Sequence, residues 1–117
     1  MAKLIRKAFG RFISCVDKHT GKEYSDWRAA YYGCKGVIEL RESERKYPGL
    51  QFVYFYPSVE GPSQPYFNTP CAEYKEQDEN RFTLTSLNSV WTFEFGEFDM
   101  TDVEKQEMLL NMMDGVF

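Results

Sequence analysis

No run of apolar residues in this sequence approaches the roughly 18 that a membrane-crossing helix needs, which excludes a helical membrane span. Cysteine is scarce. Cys15, Cys34 and Cys71 are odd in number and widely spaced, and make neither a disulfide framework nor a zinc signature. The first residues, MAKLIRKAFGRF, lack the apolar core and small-residue cleavage site of a secretory signal. The expectation is a cytoplasmic protein whose cysteines serve as small core residues. Cationic excess is also missing: the net charge is −4. Duplex nucleic acid needs a dense cationic surface, so no duplex nucleic acid partner is expected. No internal repeat or low-complexity segment is evident.

Histidine is rarer still. His19 is the sole one, in a DKHTG turn where a solvated loop residue is the default, and Cys15 is not brought to it by sequence spacing. The stretch HTGKEY lacks the preceding glycine and the strand–loop–helix setting of a phosphate-binding loop. Carboxylate pairs are frequent (Glu73 and Glu76, Asp78 and Glu79, Glu94 and Glu97, Asp99 and Asp102), but none makes a calcium loop, and a solvated acidic surface accounts for them. The expectation is therefore no catalytic residue, no cofactor and no metal.

Aromatic residues are abundant: 10 Phe, 8 Tyr and 2 Trp, 17% of 117 residues, which excludes a disordered acidic chain. The length fits one domain over 1–117. Charge divides along it. Residues 1–50 carry 11 Lys and Arg against 6 Asp and Glu, and residues 51–117 carry 3 against 12.

Residues 8–16 read as a strand apolar on both faces, and 17–21 as a turn with Lys22–Tyr24 returning beside it. Ser25 resembles a helix N-cap, and Trp27, Ala30, Tyr31, Cys34 and Ile38 recur at helical spacing. One long helix over 26–46 is favoured. Gly33 and Gly36 leave open a short helix followed by a strand at 37–42. Leu50–Tyr56 is a strand, and 57–70, with four of the five prolines, a long loop. Residues 71–76 are a candidate strand, and 77–80 a polar turn. RFTLTS (81–86) and VWTFEF (90–95) alternate as a hairpin with Phe82, Leu84, Trp91, Phe93 and Phe95 inward. Thr101-x-x-Glu104 fits a capping box for a helix over 102–113. The predicted fold is α+β: a mostly antiparallel sheet of four to five strands with one long helix packed on it and a C-terminal helix.

On such a helix Arg28, Tyr32 and Lys35 share the face opposite the apolar stripe, where a Tyr ring between two cations stacks on a planar anion. Tyr66, Phe67 and Asn68 follow the proline-rich loop. Two adjacent aromatics in an extended segment point to opposite faces, so one of Tyr66 and Phe67 is exposed. With Arg81 as a further wall, these seven residues are the candidate ligand-binding set. The functional expectation is a non-enzymatic binding protein that sequesters a small anionic aromatic ligand of the nucleotide type. Its size and style suit a phage or mobile-element accessory, a counter-defence protein among them. The partner is thus a nucleotide-like ligand or a host protein, with no membrane, and the Met-rich last helix or an edge strand makes a homo-oligomer the expected state. One alternative is a protein-binding inhibitor that uses its acidic second half to imitate nucleic acid charge. Another is a small enzyme using carboxylates or His19.

Overall fold

The computed structural model describes residues 2–44, 46–58, 66–98 and 100–106. Seven strands follow one another: β1 (Ala2–Asp17), β2 (Lys35–Ser43), β3 (Gln51–Pro57), β4 (Phe67–Asn68), β5 (Glu73–Glu76), β6 (Arg81–Thr85) and β7 (Ser89–Phe95). All pairings are antiparallel, in the order β4-β3-β2-β1-β7-β6-β5. The two ends of that order belong to one stretch of chain. Ala72 exchanges both backbone hydrogen bonds with Gln51 of β3 (2.8 Å each), and the next residue, Glu73, stands opposite Thr85 of β6. Residues 67–76 thus act as one bent strand that seals β3 to β6, and the sheet closes into a small barrel.

The long β1 makes this closure possible. Its first part, Ala2–Arg11, pairs with β2, and Gly10–Asp17 pairs with β7. The change of partner falls at Gly10, opposite Gly36 on one side and Phe95 on the other. The barrel interior is filled by Phe12, Cys15, Ile38, Leu40, Val53, Phe55, Phe67, Phe82, Leu84, Trp91, Phe93 and Phe95, all buried. The inward residues read from the alternation of 81–86 and 90–95 are all among them.

The long helix over 26–46, and with it the α+β class, is corrected by the structure. Residues Trp27–Tyr31 form a single 3-10 turn, and the chain enters β2 at Lys35. Two glycines and the Val37-Ile38 pair decide this. Gly33 adopts φ +76°, which breaks a helix, and its N–H bonds to Phe12 O at 2.7 Å. Gly36 lies so close to Tyr56 O that no side chain fits. The β-branched pair then suits a pleated strand. Of the two readings left open for 26–46, a short helical turn followed by a strand is the one observed. The sheet has seven strands rather than four or five.

Residues 102–106 are helical, and Glu104 N–H donates to Thr101 Oγ at 3.1 Å, as the capping box requires. The remainder of the predicted C-terminal helix, 107–113, lies outside the described residues.

Beyond β7 the chain turns back over the outer face of the sheet. There Met100 packs with Val37 and Tyr56, with Phe9 and Tyr54 at their margin. On the same face Glu39 is only 4% exposed. Its carboxylate meets Lys7 Nζ at 3.0 Å and the Arg41 guanidinium, and accepts from the Tyr56 hydroxyl at 3.4 Å. Burial alone would raise the Glu39 pKa, but the hydrogen bonds and charges of Arg41 and Lys7 outweigh it and hold the carboxyl below its usual range. Burial and the Glu39 charge push the Tyr56 phenol up to about 12, so it remains a neutral donor.

A depressed folded-state pKa means that this contribution is whole above the unfolded carboxyl value of about 4.3 and is lost as pH falls through the folded value. Denaturant titrations should show stability flat from about pH 7 to 5 and falling below that. Glu39→Gln should cost about 1–3 kcal/mol at neutral pH and make the acid slope shallower. A variant with an unchanged slope would contradict the assignment.

Candidate functional site

The 3-10 turn closes one end of the barrel and places Trp27 and Arg28 side by side. Asp26 caps it, accepting from Arg28 N–H at 3.1 Å through Oδ1 and pairing with the Arg28 guanidinium through Oδ2. That guanidinium lies among aromatic rings: its carbon is 4.2 Å from the Tyr24 ring centroid, 5.2 Å from Trp91 and 5.3 Å from Trp27. Cation–π attraction and the Asp26 carboxylate together hold the guanidinium there. The Arg28 Nε and the Trp91 indole N–H are both buried and have no hydrogen-bond partner.

Trp27 is half exposed, at 50%. Its ring meets Tyr31 and Phe67 edge-on at 6.0 and 5.6 Å and lies 6.4 Å from Trp91. A large planar surface is thus fixed at the barrel end, with one cation beside it. Beneath it Tyr32 is half-buried against Phe12, and its hydroxyl lies 2.7 Å from Tyr24 O and 2.9 Å from Cys15 O, sharing one proton between the two. Burial, followed by the neighbouring Cys15, raises the Tyr32 pKa, so this phenol stays protonated and pins Tyr24 to β1.

The seven candidate residues are divided by the fold. Arg28, Tyr32 and Phe67 gather at this aromatic end, with Phe67 buried as part of its floor. Tyr66 points the other way, 47% exposed, against Tyr54 and Tyr56 on the outer face, and Asn68 is exposed on β4. Lys35 and Arg81 belong to a separate outer row. The register puts Lys35, Arg11, Glu94 and Arg81 side by side across β2, β1, β7 and β6. Glu94 takes the Arg11 guanidinium at 2.8 Å and Arg81 at 3.3 Å, and Lys35 meets Glu104 at 3.3 Å. The hydrogen bond from Arg11, then that from Arg81, keeps the Glu94 carboxyl below its ordinary range. Arg28, Tyr32 and Lys35 therefore do not form one helix face, because no helix carries them.

Trp27, Trp91, Tyr24 and Tyr31 complete the aromatic end and were not among the sequence candidates. The available signal was a Trp directly preceding an Arg beside a Ser-Asp cap. Helical spacing assigns that Trp to the core instead.

Burial pushes the Cys15 thiol up to about 11, which keeps it out of the thiolate form. His19 is exposed in its turn, its backbone N–H bound to the Asp17 carboxylate at 2.8 Å. Among the described residues no group of three or more His, Cys, Asp or Glu could hold a metal ion.

The fold and this end together define a small closed antiparallel barrel with an aromatic, arginine-bearing cap. Compared with protein-family models, curated proteins and solved structures, the chain matches none.

Proposed function

We propose that the protein is a non-enzymatic binding protein that takes a planar anionic ligand of the nucleotide type at the Trp27–Arg28 end and sequesters it. The observation that carries this reading is the half-exposed Trp27 ring fixed beside the Arg28 cation. The ring offers a stacking surface, and the guanidinium, one nitrogen of which Asp26 already holds, offers its remaining N–H donors to phosphate or carboxylate oxygens. Stacking of a base on an aromatic side chain is worth about 1–3 kcal/mol, enough to make Trp27 the dominant contact. Phe67, Tyr31 and Tyr32 hold the platform and do not touch the ligand.

Both tryptophans of the chain stand at this end. Intrinsic fluorescence therefore reports on it directly. Titration with adenosine and guanosine mononucleotides and dinucleotides should quench the emission, whereas inorganic phosphate should not. Trp27→Ala and Arg28→Ala should each weaken binding about tenfold, the equivalent of about 1.4 kcal/mol. No optical or calorimetric response to any of these probes at millimolar concentration would end the proposal.

One observation favours the second reading, a protein-binding inhibitor. The β5–β6 hairpin is exposed from Glu73 to Asn80 and carries Glu73, Glu76, Asp78 and Glu79 against Lys75 alone. Glu94 is not available to that role, since Arg11 and Arg81 already engage it. Capture of a cationic partner that is lost in a Glu76→Gln, Glu79→Gln variant, with nucleotide binding absent, would favour this reading over the first.

A further inference from the structure

We propose that the two unpaired strand edges of the barrel are complementary and join this chain to a second copy of itself. β1 is bonded to β2 from Ala2 to Arg11, but its other edge meets β7 only from Gly10, with Gly96 N–H reaching Phe9 O at 2.9 Å. Among the described residues no strand is bonded to that edge between Lys3 and Ala8. β5 is bonded to β6 on one edge, and the bridge to β3 ends at Ala72. Among the described residues the other edge of Glu73–Glu76 has no strand beside it. Unpaired edges present backbone donors and acceptors ready to accept another strand.

Charge decides which edges can meet. The β1 stretch from Lys3 to Ala8 holds Lys3, Arg6 and Lys7 and no acid; Lys7 is already paired with Glu39, which leaves the positive excess of this edge to Lys3 and Arg6. β5 and its turn hold Glu73, Glu76, Asp78 and Glu79 with one lysine. Two β1 edges repel each other, and so do two β5 edges, whereas β1 against β5 brings opposite signs together. The β-bulge between Leu4 and Arg6, like the lysines, guards the edge against indiscriminate pairing and leaves the charge-matched partner favoured. Apolar contact is available on both sides: Leu4 and Ile5 are 46% and 43% exposed on β1, and Tyr74 is exposed on β5. This contact is head-to-tail unless two copies exchange both edges about a two-fold axis. It shares no residue with the Trp27–Arg28 end.

The test is light scattering of the full chain over about 1–500 μM, in low salt and in about 0.5 M salt, where screening is within a few ångströms. Mass should rise with concentration in low salt and return to the monomer in high salt. Lys3→Glu with Arg6→Glu should be monomeric, as should Glu73→Lys with Glu76→Lys. Mixing these two variants should restore association, because each supplies the edge that the other lacks. If a reversed variant fails to fold by circular dichroism, amide exchange of the wild type decides instead, with protection of 3–8 and 73–76 rising with concentration. A strict monomer across the range, association that survives the β1 reversal, or concentration-independent exchange at both edges would overturn the proposal.

Discussion

Gly36→Ala should lower the melting temperature by about 10–20 °C, and Gly10→Val should abolish folding. Both positions lie where β1 leaves one partner for the other. A Cβ at Gly10 would stand 2.5 Å from Glu94 O and closer still to the Ile38 side chain, and a Cβ at Gly36 would overlap Tyr56 O. A flexible side-chain tip can move aside, but these carbonyls are held in the ladders that close the barrel. Relief means breaking β1–β7 pairs at Gly10 and β2–β3 pairs at Gly36. About 3 kcal/mol is the expected cost of Gly36→Ala and more that of the bulkier Gly10→Val, against a total stability for such a domain of about 5–15 kcal/mol. Gly21 is the control. It has φ +74° with open space around it, so Gly21→Ala carries only the backbone penalty of about 1 kcal/mol. Circular-dichroism melts of the three variants separate the ideas. If Gly36→Ala melts with Gly21→Ala, close approach of the strands is not what these glycines provide.

The same glycines explain why the middle of the chain misleads a reader of the sequence. Trp27, Ala30, Tyr31, Cys34 and Ile38 fall on one helical stripe, and only Gly33 and Gly36 argue against it. In the barrel those two residues are the decisive ones, because one turns the chain and the other lets β3 approach. Closure is equally hidden. The sealing strand 67–76 contains Pro70 and follows a proline-rich run, so it reads as loop plus a short strand. Its dual pairing depends on residues far away in sequence, Gln51 and Thr85. The β6–β7 hairpin is legible because its alternation is local and its inner face wholly apolar.

The site shows the same division. That Tyr66 and Phe67 must face opposite ways follows from strand geometry alone, and the structure has Phe67 in and Tyr66 out. Arg28 is recognisable as an unusual cation. Its setting is not, since Tyr24 and Trp27 stand beside it in sequence with no sign that they hold it, and Trp91 reaches it from β7 only when the barrel closes. Lys35 and Arg81 look like free cations in the sequence, but strand register commits Arg81 to Glu94, and the helical segment after β7 brings Glu104 to Lys35.

Phe12→Ala carries the other large effect. Phe12 is fully buried, and its ring lies within 5.0–6.3 Å of five others: Phe93, Phe67, Tyr32, Trp91 and Phe55. Truncating a buried Phe costs about 3–5 kcal/mol, and lost ring pairs add to it. Rings held on β3, β4, β7 and the end of the 3-10 turn cannot collapse into the hole without moving their own backbone, so the upper end of that range applies. Phe12→Ala should therefore be largely unfolded at 37 °C. Phe12→Leu, which keeps most of the volume, should cost about 1.5 kcal/mol and remain native. That milder variant also tests whether the core and the aromatic end are one structure. Phe67 and Trp91, both packed on Phe12, are the floor on which Trp27 rests. A loosened floor should shift the tryptophan emission and weaken nucleotide binding although Phe12 itself touches no ligand. If Phe12→Leu lowers stability but leaves both emission and binding unchanged, the platform is held by the 3-10 turn alone.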